Sequence, residues 1–405
     1  MTRTRAQTVA RSAATKAVAW GIVGVAAGVA GPALAQTPSW QYIPPRSSDT
    51  YFFPTDISHS GIVIGGSGSI GNLPSLVRSI ERFDPSLGAT QTTILGISGS
   101  DRGHISGDGL VVGGYWPGDG SPGSAGPSLL YSDGTRRLLP SPTIQGELKM
   151  GSVQRLSYDG SSAALRYNPL PNGSTAEANS VYRWTLQDNV AQLPPSPLSG
   201  STYSFVNGMS DDGRYIVGQM APNTTFPDVP FAWDTQQNTL LPMIDPTGRP
   251  IDNGRMTTAS GDGTRLFGWY YVGGTHVNPF MIEDGLLTAL ELGDLPPSVD
   301  LVPMDASFDG TVLTGLYNRP SGAQSYWIWT ESGGAVDAND YFRSFGLDFP
   351  ATARIRDLMV SGDGRHFAGW MESGSAGFVV TIPAPSAAIS LILGGVFATR
   401  RRRRR

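Results

Sequence analysis

One short pattern recurs along this chain and constrains its fold more than any other feature. It reads Ser-x-Asp-Gly, then four residues tending to apolar, then Gly, and it appears seven times. Five copies are complete: Ser106, Asp108, Gly109, Gly114; Ser210, Asp212, Gly213, Gly218; Ser260, Asp262, Gly263, Gly268; Ser307, Asp309, Gly310, Gly315; and Ser361, Asp363, Gly364, Gly369. The copy at Ser157, Asp159 and Gly160 has Leu165 in place of the last Gly. The copy at Ser58, Ser60, Gly61 and Gly66 has Ser for Asp. Successive copies lie 48, 51, 53, 50, 47 and 54 residues apart. A period near 50 built of short β-type segments is what propeller blades show.

Each part of the pattern has a mechanical reason. Asp-Gly supplies the positive φ that a tight turn needs, and Asp or Ser side chains can bond backbone amides within it. An apolar residue precedes every Ser (Ile57, Ile105, Leu156, Met209, Ala259, Ala306, Val360), and segments such as 110–112 and 215–217 read as strands. The trailing Gly admits a neighbouring backbone, and an aromatic often follows at Tyr115, Trp269, Tyr317 or Trp370. Further along come a second aromatic strand and a leucine-rich one, as at 231–233 and 240–241. Three or four short strands per repeat make a small sheet that cannot bury both faces alone, so the sheets must stack radially. The expected fold is all-β, a seven-bladed β-propeller with helices only in the end segments.

The seventh repeat ends after Phe378 and Val380 without its leucine-rich strand, whereas Trp40 to Pro44 near the N-terminus has that character. Residues 39–44 are therefore expected to complete the last blade and close the ring, leaving few open strand edges.

The ends of the chain read as addresses. Arg3, Arg5, Arg11 and Lys16 precede an uncharged apolar run at 17–30, then Pro32 and Ala33-Leu34-Ala35 before Gln36. That order predicts a signal peptide over 1–35 cleaved after Ala35, the run being short and Gly-containing for a membrane anchor. At the other end Pro383, Ala384 and Pro385 precede an apolar run at 386–399 and a block of arginines beginning Arg400, Arg401, Arg402. As a helix that run covers about 21 Å, short of a hydrocarbon core of about 30 Å. The arginines would stay on the cytoplasmic side. The expected layout is a signal peptide over 1–35, a repeat domain over 36–382 and a sorting tail over 383–405.

Composition excludes several classes. Ten of the 29 basic residues sit at the two ends, which leaves 19 against 33 acidic residues and a net charge of −14 for the body. Nucleic-acid binding needs a positive face, so it is not expected. With no cysteine there is no disulfide, thiolate metal site or Cys nucleophile. The 52 Gly and 31 Pro come with 9 Trp, 14 Tyr and 15 Phe, which indicates turns in an ordered chain rather than disorder.

The repeats, with their following aromatic strand, resemble the HAF family of extracellular repeats over about residues 55–382. The resemblance implies a propeller-like fold and a secreted or cell-surface location, and no established activity. The tail resembles a PEP-CTERM sorting signal, with Ala384 where Glu is usual. That resemblance implies recognition by an exosortase, which removes the tail near the Pro-x-Pro.

No constellation for catalysis is evident. His59, His104, His276 and His366 have no paired ligand spacing and read as solvated surface residues. One Asp per repeat argues for turn chemistry, because acid–base catalysis needs an asymmetric pair. The turn residues Ser60, Gly61, Asp108, Gly109, Asp159, Gly160, Asp212, Gly213, Asp262, Gly263, Asp309, Gly310, Asp363 and Gly364 are thus assigned structural roles. Calcium at Asp211 and Asp212, or at Asp300 and Asp305, lacks an EF-hand spacing. Trp116, Tyr270, Tyr271 and Trp370 could stack on sugars, but packing between blades suits them better. The expectation is a monomeric, non-catalytic binding or scaffold protein without cofactors. It would be handled by the Sec translocon and an exosortase-like enzyme, touch the membrane transiently through its tail, and meet a glycan or protein ligand. The alternative is a secreted glycan-active hydrolase or lyase.

Overall fold

The computed structural model describes residues 37–383 apart from 44–49, 70–78, 88–92, 95–102, 117–124, 141–142, 145–146, 149, 169–179, 190, 193–202, 222–227, 273–275, 294, 297–298, 319–323, 352 and 373–375. The expected cleavage site at Ala33, Ala35 and Gln36, and the tail from Ala384 through Arg402, lie outside the described residues. Among the described residues no helix is long and apolar enough to cross a membrane.

Seven four-stranded antiparallel sheets follow one another as blades. Blade 1 comprises Thr50–Ile57, Val63–Ser69, Ser79–Phe83 and Thr93–Ile94; blade 2 comprises His104–Ile105, Val111–Trp116, Gly126–Tyr131 and Arg136–Leu138. A small hairpin, Thr143–Ile144 with Glu147–Leu148, precedes blade 3. Blade 3 holds Met150–Leu156, Ser162–Asn168, Ser180–Thr185 and Ala191–Gln192. Blade 4 holds Tyr203–Met209, Tyr215–Ala221, Val229–Asp234 and Thr239–Leu240. Blade 5 is Gly254–Ala259, Arg265–Val272, His276–Glu283 and Leu286–Ala289; blade 6 is Leu301–Ala306, Val312–Asn318, Gln324–Thr330 and Gly334–Asp337. Blade 7 takes Ile355–Val360, His366–Met371 and Gly377–Thr381 from the C-terminal end and Ser39–Ile43 from the N-terminal end.

The ring thus closes as the sequence suggests. Ser39–Ile43 runs antiparallel to Gly377–Thr381, with Trp40 opposite Val380 and Tyr42 opposite Phe378. Behind this seam Ile43, Phe52, Ile57, Val63 and Phe83 pack with Ala368 and Val379, so blades 1 and 7 share a core like other neighbours. Blades 2 and 3 bury Val111, Leu129, Val153, Leu165 and Trp184 between them. Blade 5 contributes Phe267 to a core with Leu313, Trp327 and Trp329 of blade 6. Removing a buried Trp of this kind costs about 3–5 kcal/mol.

One helix, α1 (Ala338–Ser344), lies between blades 6 and 7, away from the ends where helices were expected. Asp337 caps it by accepting from the Asn339 N–H, and Ala338 and Phe342 on one face are buried beside Phe349 and Phe367. An insertion that breaks the two-residue alternation but buries an i, i+4 pair forms a helix for that reason.

The motif turns share one hydrogen-bond scheme in blades 2 to 7. The Ser hydroxyl accepts from the amide five residues on, as in Val312 N–H to Ser307 Oγ at 3.0 Å, and donates to the motif Asp, as in Ser307 Oγ to Asp309 Oδ1 at 2.8 Å. The same Asp oxygen accepts the amide two residues on, Thr311 N–H at 3.0 Å. Burial pushes the Asp309 carboxyl up, but these amide and hydroxyl bonds outweigh it and hold the group below the ordinary carboxylate range. Gly213 shows why the fourth residue is Gly: its φ is +68°, and a Cβ would stand 2.9 Å from Ser162 Cβ of the preceding blade. Blade 1 departs from the scheme. Ser58 Oγ accepts from Ile62, only four residues on, and Ser60 Oγ sits 3.2 Å from Ser58 Oγ where the Asp would be. With the turn one residue shorter, Gly65 rather than Gly66 lies against an inner-strand carbonyl, that of Phe53, as Gly218 does against Phe205.

Candidate functional site

All seven motif turns lie on one face and encircle the central channel. Backbone bonds run from turn to turn: His59 N–H to Gly107 O at 2.9 Å, Tyr158 N–H to Asp211 O at 2.7 Å, Asp211 N–H to Gly261 O at 2.8 Å, and Phe308 N–H to Gly362 O at 2.8 Å, while in blades 2 and 5 the next amide donates, Asp108 N–H to Tyr158 O at 2.8 Å and Asp262 N–H to Phe308 O at 2.9 Å. The second motif residue is the variable position of Ser-x-Asp-Gly, and its side chains close the channel mouth. His59, Tyr158, Asp211 and Phe308 fill it, while Gly107, Gly261 and Gly362 leave the room they need. A Cβ at Gly107 would strike Tyr158, one at Gly261 would strike Asp211 and Phe308, and one at Gly362 would overlap the His59 ring. His59 lies edge-on to both aromatics, with ring centroids 5.0 Å from Tyr158 and 5.4 Å from Phe308. Its Nε2 is 2.6 Å from Asp211 Oδ2. Tyr158 and Phe308 remain 45% and 42% exposed in a fold that buries most of its rings.

One step inside the mouth lies a second layer. The described inner strands of all blades except blade 2 carry a bulge shortly before the motif Ser, for example between Pro54 and Asp56 and between Pro303 and Asp305. Bulges re-aim side chains, and here Asp56, Arg155, Thr258 and Asp305 line the channel. The two acids are tied to the next blade: Ile105 N–H donates to Asp56 Oδ2 at 3.1 Å, and Val360 N–H donates to Asp305 Oδ2 at 3.0 Å. His104 Nδ1 is 3.3 Å from Asp56 Oδ2 and 3.2 Å from Arg155 Nη1. One ring nitrogen cannot donate to the acid and accept from the guanidinium at once, so the tautomer decides which blade His104 joins. Burial pushes the Asp305 carboxyl up to about 7; facing Asp56 adds to this, while the Val360 amide and Arg155 pull it back.

The space these layers enclose is about 70 Å³. That admits a few waters but falls well short of the roughly 300–1,000 Å³ of sites that engulf small organic ligands. Among the described residues no group of three His, Asp or Glu side chains converges as a metal site. Asp212 is held in its turn, and Asp300 accepts from Val277 N–H at 3.0 Å.

The histidine reading needs correction. His104 is buried in the inner strand of blade 2, and His59 belongs to the channel mouth. His366 starts the second strand of blade 7 with Nδ1 3.0 Å from Thr381 Oγ1, and burial lowers its proton affinity. His276, at the start of a strand in blade 5, is the exposed one. Of the candidate stacking aromatics, Trp116 lies under Arg136 with the guanidinium 4.3 Å from the ring, and Tyr270 packs beside Phe280. Tyr271 alone among them stands out as an exposed large side chain. The repeating residues do not reveal the mouth: His59 reads as a surface residue, Asp211 as a calcium candidate, and Tyr158 and Phe308 carry no motif. Their signal was the opposite: one position inside a conserved turn that changes identity from copy to copy.

No family model matches the sequence, and no curated protein matches it. Solved structures do. The β-propeller domain of the Trilobed protease from Pyrococcus furiosus, described as having an open velcro topology, is 10% identical with a TM-score of 0.52, covering 82% of this chain and 93% of that one. The β-propeller domain of Cps50 (Swd1) from Myceliophteria thermophila is 9% identical, TM-score 0.49, covering 84% and 99%. TolB from Acinetobacter baumannii is 15% identical, TM-score 0.41, covering 72% of this chain, which spans 64% of that one. At 10% identity the likeness to the first of these is one of fold alone, and the seven four-stranded sheets make that fold a seven-bladed β-propeller.

Proposed function

We propose that this protein is an exported propeller that acts as a non-catalytic binding or scaffold protein at the cell surface or outside the cell. The observation that carries the non-catalytic part is the state of the channel acids. Asp56 and Asp305 each accept an amide of the next blade across a space of about 70 Å³, so they act as joints of the ring with no room for a substrate between them. Export rests on the sequence at 1–35 and 383–405, which has the order of a signal peptide and a PEP-CTERM-like tail. On this reading the Sec translocon and an exosortase-like enzyme are transient partners, and the mature protein is a monomer whose ligand is a glycan or a protein.

One observation favours the second reading, a glycan-active hydrolase or lyase. Asp56 and Asp305 share the channel with Arg155, the Asp305 carboxyl is raised to about 7, and a raised carboxyl in a recess is a feature acid–base chemistry uses. Screening the purified protein against glycan and peptide arrays, with product analysis of every ligand that binds, separates the two. Binding without turnover supports the first reading; a cleaved ligand overturns it.

A further inference from the structure

We propose that the turn-side mouth of the channel is a receptor for lysine side chains of a cationic peptide segment. The inference rests on the binding reading above and names the ligand class for it. The turn itself does not fix the residue type at this position, because Gly serves there in three blades. Yet Tyr158 and Phe308 are held there, exposed, on either side of His59, with the Asp211 carboxylate at the same level. Asp211 Oδ2 is buried and accepts no aligned hydrogen bond, although His59 Nε2 is close. Exposed aromatic rings beside a carboxylate can hold an alkylammonium group, through cation–π attraction and charge.

The surroundings select a cation over a neutral sugar. Asp108, Asp159, Asp212, Asp262, Asp309 and Asp363 stand beside the mouth in six of the seven turns, each using Oδ1 to brace its own turn. Arg214 and Arg265 on this rim are already engaged, with Asp234 at 3.0 Å and with Glu283 and Glu331 at 2.8 and 3.0 Å. A ring of one sign around a recess concentrates ligands of the other sign. A peptide carrying spaced lysines would place one ammonium at the mouth and others along the carboxylate ring.

The test is isothermal titration of the purified protein with the peptide acetyl-Lys-Gly-Lys-Gly-Lys-amide at about 50 mM salt, where screening is weak. The proposal expects saturable binding that weakens about fivefold or more in Asp211→Asn and in Tyr158→Leu/Phe308→Leu, from loss of the charge and of the ring faces. Leucine keeps the bulk, and an unchanged melting temperature shows that the fold is intact. Equal affinity in wild type and both variants would mean diffuse attraction to the Asp ring and would overturn the proposal. So would absence of peptide binding at millimolar concentration. In that case an uncharged oligosaccharide that binds the same protein leaves the binding reading standing, and no ligand of either kind removes both.

Discussion

At the scale of single residues, the turn is over-determined and its failures should be graded by geometry. Gly213 and Gly248 both have positive φ, +68° and +86°, but only Gly213 has a neighbour, Ser162 Cβ, where a side chain would go; around Gly248 nothing lies within 4 Å. Gly248→Ala should cost about 1 kcal/mol for the left-handed backbone. Gly213→Ala should cost about 2–4 kcal/mol, adding the expense of an overpacked joint between blades. Thermal unfolding of the two variants checks the order. The turn roles of Ser, Asp and Gly were legible because the sequence states them seven times. The roles of His59, Tyr158, Asp211 and Phe308 were not, because a residue that varies between copies looks like filler until the ring brings the copies together.

Elements show a similar division. The strand pattern and the loan of Ser39–Ile43 to blade 7 could be read from what the last repeat lacked. The bulges could not, since one extra residue in an inner strand leaves no mark on an alternation this short, and they are what turns Asp56, Arg155 and Asp305 inward. The inner strands carry a pH prediction. Asp305 holds its proton up to about pH 7 in the folded protein but only to its ordinary value near 3.8 when unfolded. The folded state therefore binds the extra proton between these limits, so this contribution is full below about pH 4, declines as pH rises, and is gone above about pH 7. Its size is a few kcal/mol at most. His366 tilts the other way below about pH 6.5, because burial lowers its proton affinity. The difference in melting temperature between wild type and Asp305→Asn isolates the first effect: it should change across pH 4–7 and level off above. A difference that is flat across that window removes Asp305 from the account. At the seam, deleting residues 37–43 should lower the melting temperature and promote self-association, because Gly377–Thr381 becomes an open edge. Sedimentation of the truncated protein would show it.

At the scale of the molecule, a ring of seven small sheets distributes its core over the joints between blades, and the channel is one more set of joints. On the proposed reading the carboxylates that line it serve as such joints, each bonded to the strand beside it. The proposed binding then falls to the surface, where the turn face offers exposed rings and acidic turns. The most direct measurement follows one bound ligand through the protein and through Asp56→Asn/Asp305→Asn, reading affinity by titration and ligand integrity by mass spectrometry. The account predicts that the ligand is recovered intact from both proteins and that affinity changes by less than about twofold, because the substituted groups do not touch it. A ligand cleaved by the wild type and left whole by the variant would contradict it.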